Sequence, residues 1–327
     1  MVKSKKMPCW KDIDLRPIVQ NKFKKNMKTT LFLSIMLLLI VSTKTVAQIS
    51  FKTEYFGTSK YKDNDNKKVG NSKGSAAVYQ ANIKIPIAMK INKDSLTNIW
   101  GVDVSAAHAS LNNKNFTQDL VLSNINNFQL SLFNVRQLSE KWSLIAFAGA
   151  GAYTSETQLS KVSGNSILGS GGVIFVKKIN AELDLGGGLA LTNALGYPML
   201  FPAIYVNYNF EGKYTFKVSM MSGFHGSAGY NFNKTMSLNL IMDINGQLAL
   251  LKRDGKDAMF THQYLVTGLR PEIKINKNIT LPITLGVNAM RSVFFNERTL
   301  KSIFNDKANN SKFDFSPYVA AEINFKF

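Results

Sequence analysis

The chain has 327 residues, with 40 Lys and Arg against 21 Asp and Glu for a formal charge of +19, and it carries one cysteine and three histidines. A single thiol excludes a disulfide framework, and three scattered histidines beside it exclude a recognisable Cys/His zinc module. The positive charge favours polyanionic partners, but no RNA- or DNA-reading motif accompanies it, so nucleic acid is not among the expected ones.

Residues 1–47 read as a leader. From Met27 the sequence MKTTLFLSIMLLLIVSTKTVAQ places Lys28 before an apolar run from Leu31 to Val41, with Thr45, Val46 and Ala47 as a small-x-small cleavage site before Gln48. The run is too short for a membrane-spanning helix, which needs roughly 20 apolar residues, so it is expected to be a removable signal peptide, with Met27 as the expected start of translation. Cys9 lies in this leader, together with ten basic and two acidic residues, so removing it takes the charge from +19 to +11.

After Gln48 no helical period is sustained; the recurring pattern is alternation. Tyr79, Ala81, Ile83, Ile85, Ile87, Met89 and Ile91 alternate with more polar residues, as do Met236, Leu238, Leu240, Met242 and Ile244, and Ile279, Leu281, Ile283, Leu285 and Val287. Successive side chains of a strand point to opposite faces, so these are strands with one oily side. In chain order the pattern predicts strands near 49–56, 76–91, 98–106, 126–136, 142–152, 166–176, 181–191, 200–210, 213–220, 224–232, 235–248, 262–275, 278–290 and 315–327. The last of them, YVAAEINFKF, puts Val319, Ala321, Ile323, Phe325 and Phe327 on one face and ends on an aromatic ring.

Short polar links near 92–97, 138–141, 177–180, 211–212, 233–234 and 276–278 take turns with longer polar stretches near 57–74, 107–125, 153–165, 192–199, 249–261 and 291–314. Only the link near 221–225 is short where the rhythm calls for a long one. This implies an up-and-down antiparallel meander with tight turns and both termini at one end. About 14 strands share the 280 residues after the leader, about 20 each, which suits a tilted membrane strand of roughly 9–11 residues and its link.

Alternation alone does not separate a soluble sandwich from a membrane barrel. Aromatics cluster at the turn ends, at Trp100, Trp142, Phe210, Tyr214, Phe232, Phe325 and Phe327, where an interfacial girdle forms in a bilayer. The leader, the cysteine-free mature chain and the loop asymmetry agree. The expected fold is therefore all-β: one transmembrane up-and-down antiparallel β-barrel over 48–327. On these features the sequence resembles Gram-negative outer-membrane β-barrels, and it is similar to the barrel families of unknown function found beside porins and 14-strand channels. The resemblance implies residence in the outer membrane with lipid and lipopolysaccharide as surroundings. It also implies that Ile323, Phe325 and Phe327 form the signal read by the outer-membrane insertion machinery.

The polar faces of the strands carry Lys84, Asp103, Glu182, Asp184, Lys217, Asp243, Arg270, Glu272, Lys274 and Glu322, the expected lumen-lining set. Two His-x-Ser pairs, His108 with Ser110 and His225 with Ser227, place an imidazole and a hydroxyl on one strand face. Outer-membrane phospholipases carry such a pair with an Asn to orient the His, but the flanking "HASLNN" and "FHGSAGY" lack that family's surroundings, so no catalytic residue is assigned and no enzyme is expected. His262 stands alone. Asp63 and Asp65, in "KDNDNKK", read as a solvated loop rather than a cation site. Glycine-rich stretches at 149–151, 169–172 and 186–188 open no helix and precede no Lys-Ser/Thr, so they read as bends in strands and no cofactor is expected. The expected function is a passive channel or transporter for small polar solutes. The alternatives are a non-conducting structural or binding barrel that uses its long loops, especially 57–74 and 291–314, and, least favoured, a lipase-type enzyme.

Overall fold

A computed structural model describes residues 47–117, 120–158, 161–221, 223–303 and 311–327. The leader segment lies outside the described residues, apart from Ala47 at its end. Strands β1 to β15 run in chain order: Gln48–Lys62, Lys68–Ile91, Thr97–Lys114, Asn124–Gln137, Trp142–Thr154, Ile167–Lys178, Leu183–Thr192, Met199–Phe210, Tyr214–Met220, Phe224–Asn231, Met236–Arg253, Lys256–Lys274, Ile279–Glu297, Lys312–Phe313 and Ser316–Lys326. Each strand from β1 to β13 pairs antiparallel with the next in sequence. β15 then closes the ring by pairing with both β13 and β1. The two residues of β14 bridge the same pair of neighbours further along, so β14 and β15 act as one strand interrupted at Asp314 and Phe315, and the wall has 14 staves. No edge is left for another chain to pair with at the closure.

One face of this sheet buries side chains and the other exposes oily ones. On β15, Ser316, Tyr318 and Ala320 are buried while Pro317, Val319 and Ala321 are exposed; on β11, Ser237, Asn239, Ile241 and Asp243 are buried while Met236, Leu240 and Met242 are exposed. Exposed Phe51, Phe128, Leu189, Ile204 and Leu285 continue the oily surface around the ring. In water each such side chain would forgo about 1.5–3 kcal/mol of burial, and hydrocarbon removes that penalty. The protein is a transmembrane β-barrel.

The tight turns share a chemical device. Asn92, Asn180, Asn233 and Asn276 each open a turn by accepting, through the side-chain oxygen, hydrogen bonds from two backbone N–H groups two to four residues on, at 2.8–3.1 Å. Ser139 does the same for Trp142 at 3.1 Å. Such Asx and Ser turns reverse the chain within a few residues. At this end Trp100, Trp142, Phe210, Tyr214, Phe232 and Phe327 are all exposed, and the Phe327 N–H donates to the Ala47 carbonyl at 3.0 Å.

The opposite end departs from the sequence reading. The segment 57–74, expected as a loop, is mostly strand: β1 and β2 continue until Asp63, whose Oδ1 accepts from the N–H groups of Asp65 and Lys67. The stretch 249–261 is likewise a hairpin, closed by Asp254 and Gly255 at φ 51° and 78°. These polar segments lack the oily alternation because they rise beyond the apolar band and have no lipid to face. The wall is consequently uneven, with 24 residues in β2 and 19 in β12, but 7 in β9 and 8 in β10.

Candidate functional site

The inside of the barrel has two unlike storeys. In the storey nearer the turns, strand register puts Lys84, Asp103, Asp184, Lys217, Asp243, Arg270, Glu272, Lys274 and Glu322 on the sheet face opposite the oily one. Glu182 instead sits in the turn before β7, where its carbonyl accepts from the Asn209 N–H at 2.8 Å. Lys84 and Asp103 face each other across β2 and β3, 3.6 Å apart, and Asn82 donates to the same carboxylate at 2.9 Å. Across β11 and β12, the Arg270 guanidinium donates to Asp243 at 2.7 Å and to the Thr284 hydroxyl at 3.0 Å, while His225 lies 3.4 Å from the other Asp243 oxygen. Lys217 reaches down to Glu211 in the β8–β9 turn at 2.9 Å. Although these side chains point inward, Lys84, Lys217 and His225 are 47%, 50% and 48% exposed, so water reaches this storey. A cleft of about 250 Å³ opens into it from the turn end, lined by Gln48, Ser50, Asn82, Thr280, Asn324 and Lys326 among others.

Above the charges sits a ligature that sequence reading missed. Glu54 of β1 is fully buried and takes hydrogen bonds from the Tyr318 hydroxyl at 2.5 Å, the Tyr264 hydroxyl at 2.7 Å and the Gln80 amide at 2.5 Å, with the Lys52 ammonium 2.9 Å away. Tyr264 lies three staves from Glu54, so this knot cuts a chord across the interior. Gln247 extends it by donating to Tyr264 at 3.2 Å and pairing with His262 at 3.0 Å. The signal was present in "FKTEYF", since Lys52, Glu54 and Phe56 share the inward parity, but no composition cue marks one carboxylate as the hub.

The storey nearer the loops holds the buried apolar side chains. Phe56, Tyr61, Ile125, Phe260, Val293, Phe313 and Tyr318 form one apolar core inside the wall on the β1–β4 and β11–β15 side. Arg291 is buried within it, stacked over Phe313 at 3.9 Å and donating to the Gly74 carbonyl at 2.8 Å. His262 is fully buried between Phe56 and Tyr264, which accounts for the histidine that stood alone in the sequence.

The lumen is crossed again at this level. β10 pairs with β11 only as far as Phe224 and Ile244, and above that point β11 has β12 on one side alone. Its free edge turns inward to β4, seven staves away by either route. There the Asn127 amide donates to the Leu248 carbonyl at 2.6 Å and accepts from its N–H at 3.3 Å, and the Ser166 hydroxyl donates to Leu250 at 3.2 Å. Beyond β13, Arg298 donates to the carbonyls of Ala194, Asn165 and Asn193 at 2.8–2.9 Å, stitching the β13 rim to the loops after β5 and β7.

The two His-x-Ser pairs have different fates. His108 faces outward, stacked on Tyr79 with its Nδ1 2.7 Å from Asn126 Oδ1, whereas His225 faces inward toward Asp243. No hydrogen bond joins either histidine to the serine two residues on, among the described residues. Asp63 is a turn former, and no group of three or more His, Cys, Asp or Glu that could hold a metal occurs among the described residues. Gly188 allows a close approach of strands, since a Cβ there would lie 1.9 Å from the Val173 carbonyl oxygen.

A family profile described as "Domain of unknown function (DUF6268)" matches residues 43–326. The chain belongs to this family. No curated protein matches it. Among solved structures it is similar to the COG4313 outer membrane channel from Pseudomonas putida F1, at 12% identity and TM-score 0.43, with 88% of this chain and 97% of that one covered. It is also similar to a deltaS2 mutant of the TodX monoaromatic hydrocarbon channel, at 9% identity and TM-score 0.40, covering 87% and 90%. A third is the NanC porin, at 11% identity and TM-score 0.32, covering 85% and 100%.

Proposed function

We propose that this DUF6268 barrel is an outer-membrane channel for small polar solutes, with a wet vestibule at the turn end and a closed gate at the loop end. The observation that carries the reading is the water-accessible set of inward charges, Lys84, Lys217 and His225, in a barrel whose opposite storey is packed with apolar side chains on the β1–β4 and β11–β15 side. Charges of both signs line the vestibule: Lys84, Lys217, Arg270 and Lys274 against Asp103, Asp184, Asp243, Glu272 and Glu322. Such a lining lets polar solutes shed water gradually without strong preference for one sign. The leader would export the chain, and the outward strip Ile323, Phe325 and Phe327 would present it to the insertion machinery. The turn end would then face the periplasm and the loop end the lipopolysaccharide leaflet.

Planar-bilayer recording tests the gate. The wild-type barrel should be mostly silent, and Asn127→Ala combined with Arg298→Ala should produce openings, because both remove ties that hold the β11–β13 rim across the lumen. A folded, inserted double variant as silent as the wild type would reject the channel and favour the non-conducting barrel.

A further inference from the structure

On the outside of β1, β2, β3 and β14, the strand register aligns lysines that the alternation pattern does not single out. Lys60 lies directly opposite Lys73, and Lys73 directly opposite Lys114, so three like charges form one row across three neighbouring strands. A second row, one step nearer the loop tips, runs from Lys312 through Lys62 to Lys68. Their outward direction follows from their neighbours. Tyr61 and Phe313 between the rows are buried in the inner core, and a Cβ on Gly74, next to Lys73, would strike the Phe313 ring at 2.9 Å. Lys62 is paired with Asp314, whereas Lys60, Lys68, Lys73, Lys114 and Lys312 have no carboxylate within salt-bridge distance among the described residues.

Side chains directly opposite on paired strands sit about 5 Å apart, and like charges there are destabilising. The rows therefore cost stability unless a dianionic or polyanionic group lies between the ammonium groups. Their height says which. Lys60 is twelve residues beyond Gln48, which at about 3.3 Å per residue and about 40° of tilt sets it roughly 30 Å from the turn end, just past an apolar band about 25 Å tall. The exposed outward residues beneath it run from Phe51 through Tyr55 and Tyr79, 52% and 50% exposed, to Thr58 and then the lysines.

We infer that these rows are a binding site for the phosphate groups of an outer-leaflet glycolipid of lipopolysaccharide type. The inference rests on the outer-membrane reading, which orients the loop end toward that leaflet. A lysine row about 10 Å long, two strand spacings, engages a headgroup carrying more than one phosphate better than a lone anion, because each ammonium supplies a separate point charge.

The test uses the mature barrel refolded into phosphatidylcholine vesicles, with insertion read by protease protection and heat-modifiable gel mobility before any ligand is added. Native mass spectrometry from nanodiscs then measures binding of purified lipopolysaccharide and of its dephosphorylated form. A basic residue near an anionic membrane surface contributes roughly a fivefold change in binding, so Lys60→Gln/Lys73→Gln/Lys114→Gln should weaken lipopolysaccharide binding on the order of a hundredfold. The same triple in arginine should retain binding, and Lys90→Gln/Lys93→Gln/Lys277→Gln at the turn end should leave it unchanged. Dephosphorylation should match the effect of the first triple. Without lipopolysaccharide, the glutamine triple should be as stable as the wild type or more so, since it relieves like-charge opposition. Equal binding by wild type and glutamine triple, no binding by wild type, or indifference to dephosphorylation overturns the site. Failure of the wild type to insert would instead strike at the membrane reading on which it rests.

Discussion

Glu54→Ala is the sharpest probe of the interior knot. The substitution removes a fully buried carboxylate that receives three hydrogen bonds and one ammonium. Hydrogen bonds to a charged group contribute about 1.5–3 kcal/mol each before the entropy of ordering is deducted, and they are not additive. Breaking a buried pair by deleting one partner costs about 3–5 kcal/mol, because Lys52, only 16% exposed, is left charged and poorly solvated. We therefore expect a loss of about 3–5 kcal/mol, measured by reversible urea unfolding in lipid vesicles. Glu54→Met with Lys52→Met should recover most of it, since replacing a buried pair by apolar groups of like volume is often neutral. A Glu54→Ala loss below about 1 kcal/mol would refute the claim that this carboxylate binds β1, β12 and β15 together across the lumen.

Gly188→Ala should destabilise the β6–β7 pairing by about 1–3 kcal/mol, because its Cβ would overlap the Val173 carbonyl, while Gly187→Ala, with nothing within 4 Å, should be neutral in the same unfolding assay. Glu211 has its carboxyl held below the usual carboxylate range chiefly by the hydrogen bond from Lys217. Its stabilisation is thus present above the unfolded value of about 4.3 and lost as pH falls through the depressed folded value. Both side chains are at least half exposed, so Glu211→Gln should cost no more than about 1 kcal/mol at pH 7 and nothing under strongly acid conditions, read from melting curves across pH. Deleting Phe327 should leave refolding into vesicles largely intact but reduce the assembled barrel in cells several-fold, measured by outer-membrane fractionation; equal assembly would reject the terminal strip as an insertion signal.

The sequence carried most of the wall and little of the interior. Strands such as 235–248 and 278–290 are legible because lipid demands an oily residue at every second position, and that demand is uniform around the ring. Where lipid stops, so does the cue: Lys60 to Lys73 forms a hairpin with a register shift between Lys60 and Lys62, its outward residues include Lys60, Lys62, Lys68 and Lys73, and the stretch reads as a loop. The inward charges were recognisable by parity, as with Lys84 and Asp103. What parity cannot state is which inward residues meet across the lumen, because Glu54 with Tyr264 and Asn127 with Leu248 are joined by ring closure and wall height. His262 could be seen only as isolated; its burial depends on Phe56 arriving from 206 residues away in the chain.

The break in rhythm at 221–225 shapes the inward turn of β11. Because β9 has 7 residues and β10 has 8, this hairpin stops short of the roughly 9–11 needed to cross the bilayer, and both neighbours lose a partner above it. On the β8 side the bare edge includes Pro202, which has no N–H to leave unpaired. On the β11 side the residues just above Ile244 still pair with β12, but the N–H and C=O groups of their other edge have lost β10, and hydrocarbon offers no replacement. Turning inward supplies some: the Asn245 side chain accepts from the Gly246 N–H, Asn127 takes both groups of Leu248, and Ser166 serves Leu250. The inward turn of β11 thus follows from the short hairpin, and lengthening the hairpin should undo it. Inserting two residues of alternating Val and Thr on each side of Met221–Gly223 would let β10 continue along β11 past Ile244. The rim should then return to the wall, raising bilayer conductance without lowering stability and reducing the disulfide yield of Asn165→Cys with Asp257→Cys, whose native side chains are 3.1 Å apart. An inserted variant that remains silent and cross-links as efficiently as the parent would show that something other than the missing strand length holds β11 across the lumen.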